Sequence, residues 1–89
     1  MTVRLELFYS PTCHLCPRAR EVVMSLDEDK VEVEEVNVLS TEGLRRAEDY
    51  SIRSVPTIVL NGRIKLTGVP SKGNLIKMIQ REYSGKQVS

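Results

Sequence analysis

The chain has no tryptophan, one phenylalanine and three tyrosines in 89 residues. So few rings exclude the stacking platforms that hold single-stranded nucleic acid. Charge of one sign is also lacking: thirteen lysines and arginines stand against twelve aspartates and glutamates, a formal net charge of +1. No global field then favours nucleic acid or an anionic membrane surface. No apolar run nears the roughly 20 residues that cross a bilayer. The opening MTVRLELFYS lacks the apolar segment and cleavage site of a secretory signal, which leads to the expectation of a cytoplasmic protein. Cysteine is reduced to one pair, Cys13 and Cys16. In a reducing compartment a lone pair is rarely a permanent staple. A loop that short also removes little entropy from the unfolded chain.

What is present reads as an ordinary globule, with 40% apolar and 28% charged residues. The length predicts one small domain over 1–89, ordered from about 2 to 84, with a frayed tail over 85–89. Val3, Leu5, Leu7 and Tyr9 alternate in a first strand, with Phe8 facing the other way. After SPT the period becomes helical from Cys13 to about Leu26, and Leu15, Ala19, Val22, Val23 and Leu26 form its apolar stripe. VEVEEVNVL is a second strand whose alternation slips at Glu34–Glu35, which suggests a bulge or a strand covered on both faces. STEGLRRAEDY is a second helix, capped by Ser40 or Thr41, with Leu44, Ala47 and Tyr50 inward. TIVLNGRIKLT is a hairpin turning at Asn61-Gly62, a pair that tolerates positive φ. A last helix opens at Ser71 and turns Leu75, Ile76, Ile79 and Tyr83 inward. The order β-α-β-α-β-β-α requires a right-handed first crossover and an antiparallel hairpin, hence a four-stranded mixed sheet with three helices.

The cysteines fall where strand gives way to helix. If Thr12 caps that helix, Cys13 lies among unpaired amides that stabilise a thiolate. A thiol so placed drops from about 8.5 into the range of roughly 3.5–7.5. Measured round the helix, Cys16 stands roughly 60° from the centre of the apolar stripe and Cys13 roughly 120°. The second sulfur is therefore shielded and the first exposed, as dithiol exchange requires. Pro17 either removes the amide that would bond back to Cys13 or simply starts the regular helix. His14 points away from the stripe. Glu35 interrupts a valine strand beside the first strand; turned toward Cys16 it would relay the resolving proton, turned outward it is a solvated edge glutamate.

FYSPTCHLCPRA, YSIRSVPTIVLNG and the helix opened by GVPS together resemble the thioredoxin-fold redox proteins, in particular the small archaeal thioredoxin/glutaredoxin-like proteins. The similarity runs from about Val3 to Tyr83. It implies strand order 2-1-3-4 with the third strand antiparallel to the first. It implies that Cys13 attacks, Cys16 resolves, and the pair serves as a redox-active disulfide with no other cofactor and no metal. It implies a cis peptide before Pro56, with the Val55 backbone, Thr12 and His14 beside the substrate. Protein or small-molecule disulfides are the implied substrates, disulfide-containing proteins the implied partners, and a thioredoxin-reductase-like donor the implied reductant of a monomer. The chain departs from the family at Thr12, where thioredoxins carry tryptophan. It has Leu7 in place of their buried aspartate and Glu35 in place of its lysine partner. Only Gly68 remains of the glutaredoxin Gly-Gly, and Ser10 occupies the glutaredoxin basic position. Ser51 stands where thioredoxins often place glycine, at a strain of about 1 kcal/mol if it is left-handed. Two other readings stay open: a metal or iron–sulfur module completed across a dimer, since zinc wants four ligands, and a redox-inert interaction domain.

Overall fold

Residues 2–88 are described in a computed structural model of the chain, with side chains from 2 to 83. The elements are β1 (Val3–Tyr9), α1 (Cys16–Met24), β2 (Val31–Asn37), α2 (Thr41–Asp49), β3 (Thr57–Leu60), β4 (Ile64–Thr67) and α3 (Lys72–Val88). They build one four-stranded sheet in the order β2-β1-β3-β4. β1 runs parallel to β2 and antiparallel to β3, and β3 pairs antiparallel with β4. This is the thioredoxin-like α/β architecture implied by the sequence. The expected fraying over 85–89 falls outside the residues whose side chains are described.

β1 is central because it buries apolar side chains on both its faces. Val3, Leu5 and Leu7 pack with Ala19, Val23, Leu75 and Ile79, so α1 and α3 cover that face. Phe8 packs on the other face with Val36, Ala47 and Val59, under α2. Full burial of each such leucine or phenylalanine contributes about 1.5–3 kcal/mol. The second strand carries no bulge: its register with β1 runs unbroken from Val3↔Val31 to Tyr9↔Asn37. Its slipped alternation reflects a strand covered on both faces, with Val31 in one cluster and Val36 in the other.

Two apolar assignments are overturned. Leu15 is 50% exposed and Leu44 is 53% exposed. Leu15 precedes the helix, so helical phase does not reach it. On α2 the inward positions near the start go instead to Gly43 and Ala47. Gly43 sits so close to β2 that a Cβ there would lie 1.8 Å from the Asn37 carbonyl oxygen. Ser40 caps α2, its Oγ accepting from the Gly43 amide at 2.9 Å.

α2 ends in a Schellman arrangement. The Ile52 amide donates to Ala47 O at 2.8 Å and the Ser51 amide to Glu48 O at 3.0 Å. Ser51 then takes φ 57°, the left-handed region that favours glycine. The hairpin turns as expected, with φ of 51° at Asn61 and 70° at Gly62. Ser71 opens α3, its Oγ accepting from the Asn74 amide at 3.2 Å.

The structure also buries charge that the pattern did not reveal. Glu6, 1% exposed, points from β1 toward α2. There Arg46 bonds to it, and the Tyr50 hydroxyl donates to it at 2.8 Å. Arg46 also holds Glu34 at 2.8 Å and 2.9 Å. Those bonds keep Glu34 below the ordinary carboxylate range and Arg46 above its own. Burial, and then the bond to Glu6, push the Tyr50 phenol up.

Candidate active site

The carboxyl ends of β1 and β2 lie side by side, and Thr57 of β3 stands opposite Phe8. The cysteine turn that leaves Tyr9 and the Val55–Pro56 segment that enters β3 therefore meet at one end of the sheet. The Val55–Pro56 peptide is cis. Thr57 Oγ1 donates to Ser54 O at 2.7 Å, and the Gly68 amide donates to Pro56 O at 2.8 Å. These bonds tie the proline to the loops on either side. Among the described residues the Val55 amide and carbonyl have no hydrogen-bond partner.

The helix starts three residues later than the sequence pattern predicts, at Cys16. The Cys13 amide donates to Ser10 O at 3.1 Å, closing a tight turn with Pro11 in its second place. Proline presets φ for that place, and the closed turn keeps the next residues out of the helix. Thr12 is therefore no helix cap. Its amide donates to Ser10 Oγ at 3.2 Å, and the two hydroxyls lie 3.0 Å apart. Leu15 holds the cap position without a side-chain bond, and Pro17 falls in the first turn. Of its two sequence readings, Pro17 starting the regular helix is the one observed.

The role expected of Thr12 is taken by sulfur. The Cys16 amide donates to Cys13 Sγ at 3.1 Å. A first-turn N–H and the positive helix end thus face Cys13 directly. The two sulfurs are bonded, with Cα atoms 5.4 Å apart. Cys16 is 6% exposed, whereas Cys13 is half-buried and His14 between them is exposed. The order expected of the sulfurs, one reachable and one shielded, is present, although only Cys16 lies on the helix.

Both cysteines line a groove of about 590 Å³ on the α1 side of the site, floored by Leu7 and walled by Met24 and Pro11. Glu35 lines the same groove, so its side chain turns to the cysteine side rather than off the sheet edge. It is not alone there: Arg20 Nε donates to Glu35 Oε1 at 2.9 Å. Arg20 escaped notice in the sequence, yet the signal existed. It lies four residues after Cys16, one turn along the same helix face. Among the described residues no group of three or more His, Cys, Asp or Glu side chains is placed to hold a metal ion. No described helix is long and apolar enough to cross a membrane.

A cysteine pair bridging turn and helix at the carboxyl end of a mixed sheet, at the same sheet end as a cis X-Pro bond, is the arrangement of a thiol–disulfide oxidoreductase. The chain belongs to the thioredoxin family: the family model described as Thioredoxin domain matches residues 1–80. It is 43% identical over 82 residues to the thioredoxin of Methanocaldococcus jannaschii, covering 89% of this chain and 94% of that protein. It is 37% identical over 86 residues to a probable thioredoxin of Archaeoglobus fulgidus, covering 96% and 94%. In structure it is similar to a mutant thioredoxin from Halobacterium salinarum NRC-1, with a TM-score of 0.75 and 30% identity over 88% of this chain and 72% of that one. The activity that follows is thiol–disulfide exchange through the Cys13–Cys16 pair, and no observation favours the metal-binding alternative.

Proposed function

We propose that the chain works as a single-domain, monomeric, cytoplasmic reductant of protein disulfides. Cys13 is the attacking sulfur and Cys16 the resolving one. The Cys13 thiolate attacks a substrate sulfur, forming a mixed disulfide and releasing the first substrate thiolate. The Cys16 thiolate then attacks Cys13 Sγ. The Cys13–Cys16 bond forms, the mixed disulfide breaks, and the second substrate thiolate leaves. The observation that carries this order is the Cys16 N–H bonded to Cys13 Sγ at 3.1 Å. An amide aimed at that sulfur stabilises its thiolate, both as nucleophile and as leaving group.

The unpaired Val55 backbone takes an extended substrate segment as a strand edge does. Pro56, Thr12 and His14 border it. Glu35, facing the groove that reaches Cys16, accepts the resolving thiol's proton. The pair itself is the only redox group the cycle needs. Its reductant is a thioredoxin-reductase-like protein rather than glutathione, because Ser10 stands at the basic position of a glutathione clamp and only one glycine, Gly68, precedes α3. The test is trapping with insulin as substrate. Cys16→Ser should accumulate a mixed disulfide through Cys13, and Cys13→Ser should form none. Equal trapping by the two variants would reverse or remove the assignment. Reduction of the oxidised pair by glutathione as fast as by a reductase would overturn the choice of donor.

A further inference from the structure

We propose that the groove beside α1 is a subsite for low-mass disulfides bearing an amino-acid head group, a carboxylate and an ammonium on one carbon. Arg20 is the residue that sets this specificity. The proposal rests on Cys13 being the attacking sulfur and extends that reading to a second class of substrate. At about 590 Å³ the groove falls within the range of small-molecule sites, roughly 300–1,000 Å³. Both sulfurs line it, whereas Val55 and Pro56 do not. It is thus separate from the backbone edge offered to an extended chain, yet opens on the same redox pair.

Its walls combine apolar surface from Leu7, Pro11 and Met24 with three charges, those of Arg20, Glu21 and Glu35. Arg20 spends only Nε on Glu35, at 2.9 Å, and both its Nη atoms lack a partner among the described residues. The guanidinium is oriented by Glu35 while the end of its fork stays open, the shape that takes a carboxylate. Its side chain is 61% exposed, so a ligand can reach it. Two carboxylates against one guanidinium repel a ligand with negative charge only and favour one that also carries an ammonium. Arg20 lies four residues beyond Cys16, about 6 Å along the axis. A head group seated there needs only a short carbon spacer to bring its sulfur to the pair.

The electrons balance within the pair and the ligand. The Cys13 thiolate attacks one ligand sulfur, and the other half leaves as thiolate. The Cys16 thiolate then displaces the first half from Cys13. The ligand disulfide is reduced to two thiols, and Cys13 and Cys16 are oxidised to one disulfide.

The experiment mixes reduced protein, freed of reductant, with L-cystine, cystamine or dithiodiglycolate. Cystamine lacks the carboxylate and dithiodiglycolate lacks the ammonium. Formation of the Cys13–Cys16 bond is followed by acid quench, alkylation and mass. The expected result is that Arg20→Ala lowers the cystine-to-cystamine rate ratio about tenfold, the scale of one charge-assisted pair. Arg20→Lys, which keeps the charge without the fork, should fall between. An unchanged ratio in Arg20→Ala overturns the subsite, as does equal slowing with all three probes. Oxidation of the wild-type pair by insulin but by none of the three probes overturns the subsite alone. Failure with insulin as well overturns the redox reading beneath it.

Discussion

The Cys16 amide donates a hydrogen bond to Cys13 Sγ over 3.1 Å, so one cysteine's backbone prepares the other's sulfur. The residue that supplies this amide is itself only 6% exposed. In the roles proposed above, reactivity and shielding are divided over two residues of one turn. Limiting iodoacetamide at neutral pH should label Cys13 at least about tenfold faster than Cys16 in the reduced protein. Peptide mapping of the alkylated chain checks this. Comparable labelling of both would remove the asymmetry.

Ser51 at φ 57° occupies a glycine position at the end of α2. Ser51→Gly should stabilise the fold by about 0.5–1 kcal/mol, the left-handed strain removed less the added freedom of glycine in the unfolded chain. The urea midpoint is the measurement. A lower midpoint would mean that the serine side chain contributes more than the strain costs.

Glu6, 1% exposed and bonded by Arg46 and Tyr50, should be the costliest charge to remove. Glu6→Ala is expected to lose about 3 kcal/mol, because it leaves a partly buried hydroxyl and part of a guanidinium without their acceptor. Glu6→Gln, which keeps an acceptor oxygen, should lose less. Urea denaturation of the two variants against wild type tests the order.

The same cluster sets a stability profile in pH. Glu34 is held below its ordinary 4.5 chiefly by the Arg46 bond. Its contribution is complete above about 4.5 and is lost as pH falls through the lower folded value. Tyr50 is raised above its ordinary 10.0 by burial and the bond to Glu6. Its contribution is complete below about 10 and is lost as pH rises through the higher folded value. Glu34→Gln should flatten the acid limb and Tyr50→Phe the alkaline limb of stability against pH. Unchanged limbs would assign the dependence to other groups.

Gly43 tests the packing of α2 directly. A methyl there would sit 1.8 Å from the Asn37 carbonyl oxygen, which is backbone and has little room to move. Gly43→Ala should therefore destabilise by about 2 kcal/mol or more, despite alanine's better helix propensity. Thermal unfolding gives the answer. A stabilised variant would show that β2 and α2 are free to separate.

Much of this protein was legible in one dimension. Alternation in 3–9, the Asn61-Gly62 turn, the Ser71 cap, a cap at Ser40 or Thr41 and the order of elements are local, and short-range sterics and hydrogen bonds decide them. The cysteine pair could be read as a candidate site because residue type and spacing carry the chemistry, whereas Pro56 was implied only by the resemblance to the thioredoxin-fold proteins. What remained hidden depends on contacts between distant segments. Whether Leu15 lies on the helix turned on the Ser10–Cys13 turn closing first. Leu44 faces solvent because Gly43 and Ala47 take the seat against β2. The burial of Glu6 depends on Arg46 and Tyr50, 40 and 44 residues further on, which supply its counter-charge and a hydrogen bond. Arg20 became part of the site only when Glu35 came to face it across the sheet edge. The sequence by itself determined the order of the elements and where the cysteine pair falls between strand and helix. The tertiary structure alone decided which charges are buried and what surrounds the sulfurs, because a charge's free energy depends on neighbours that chain order does not name.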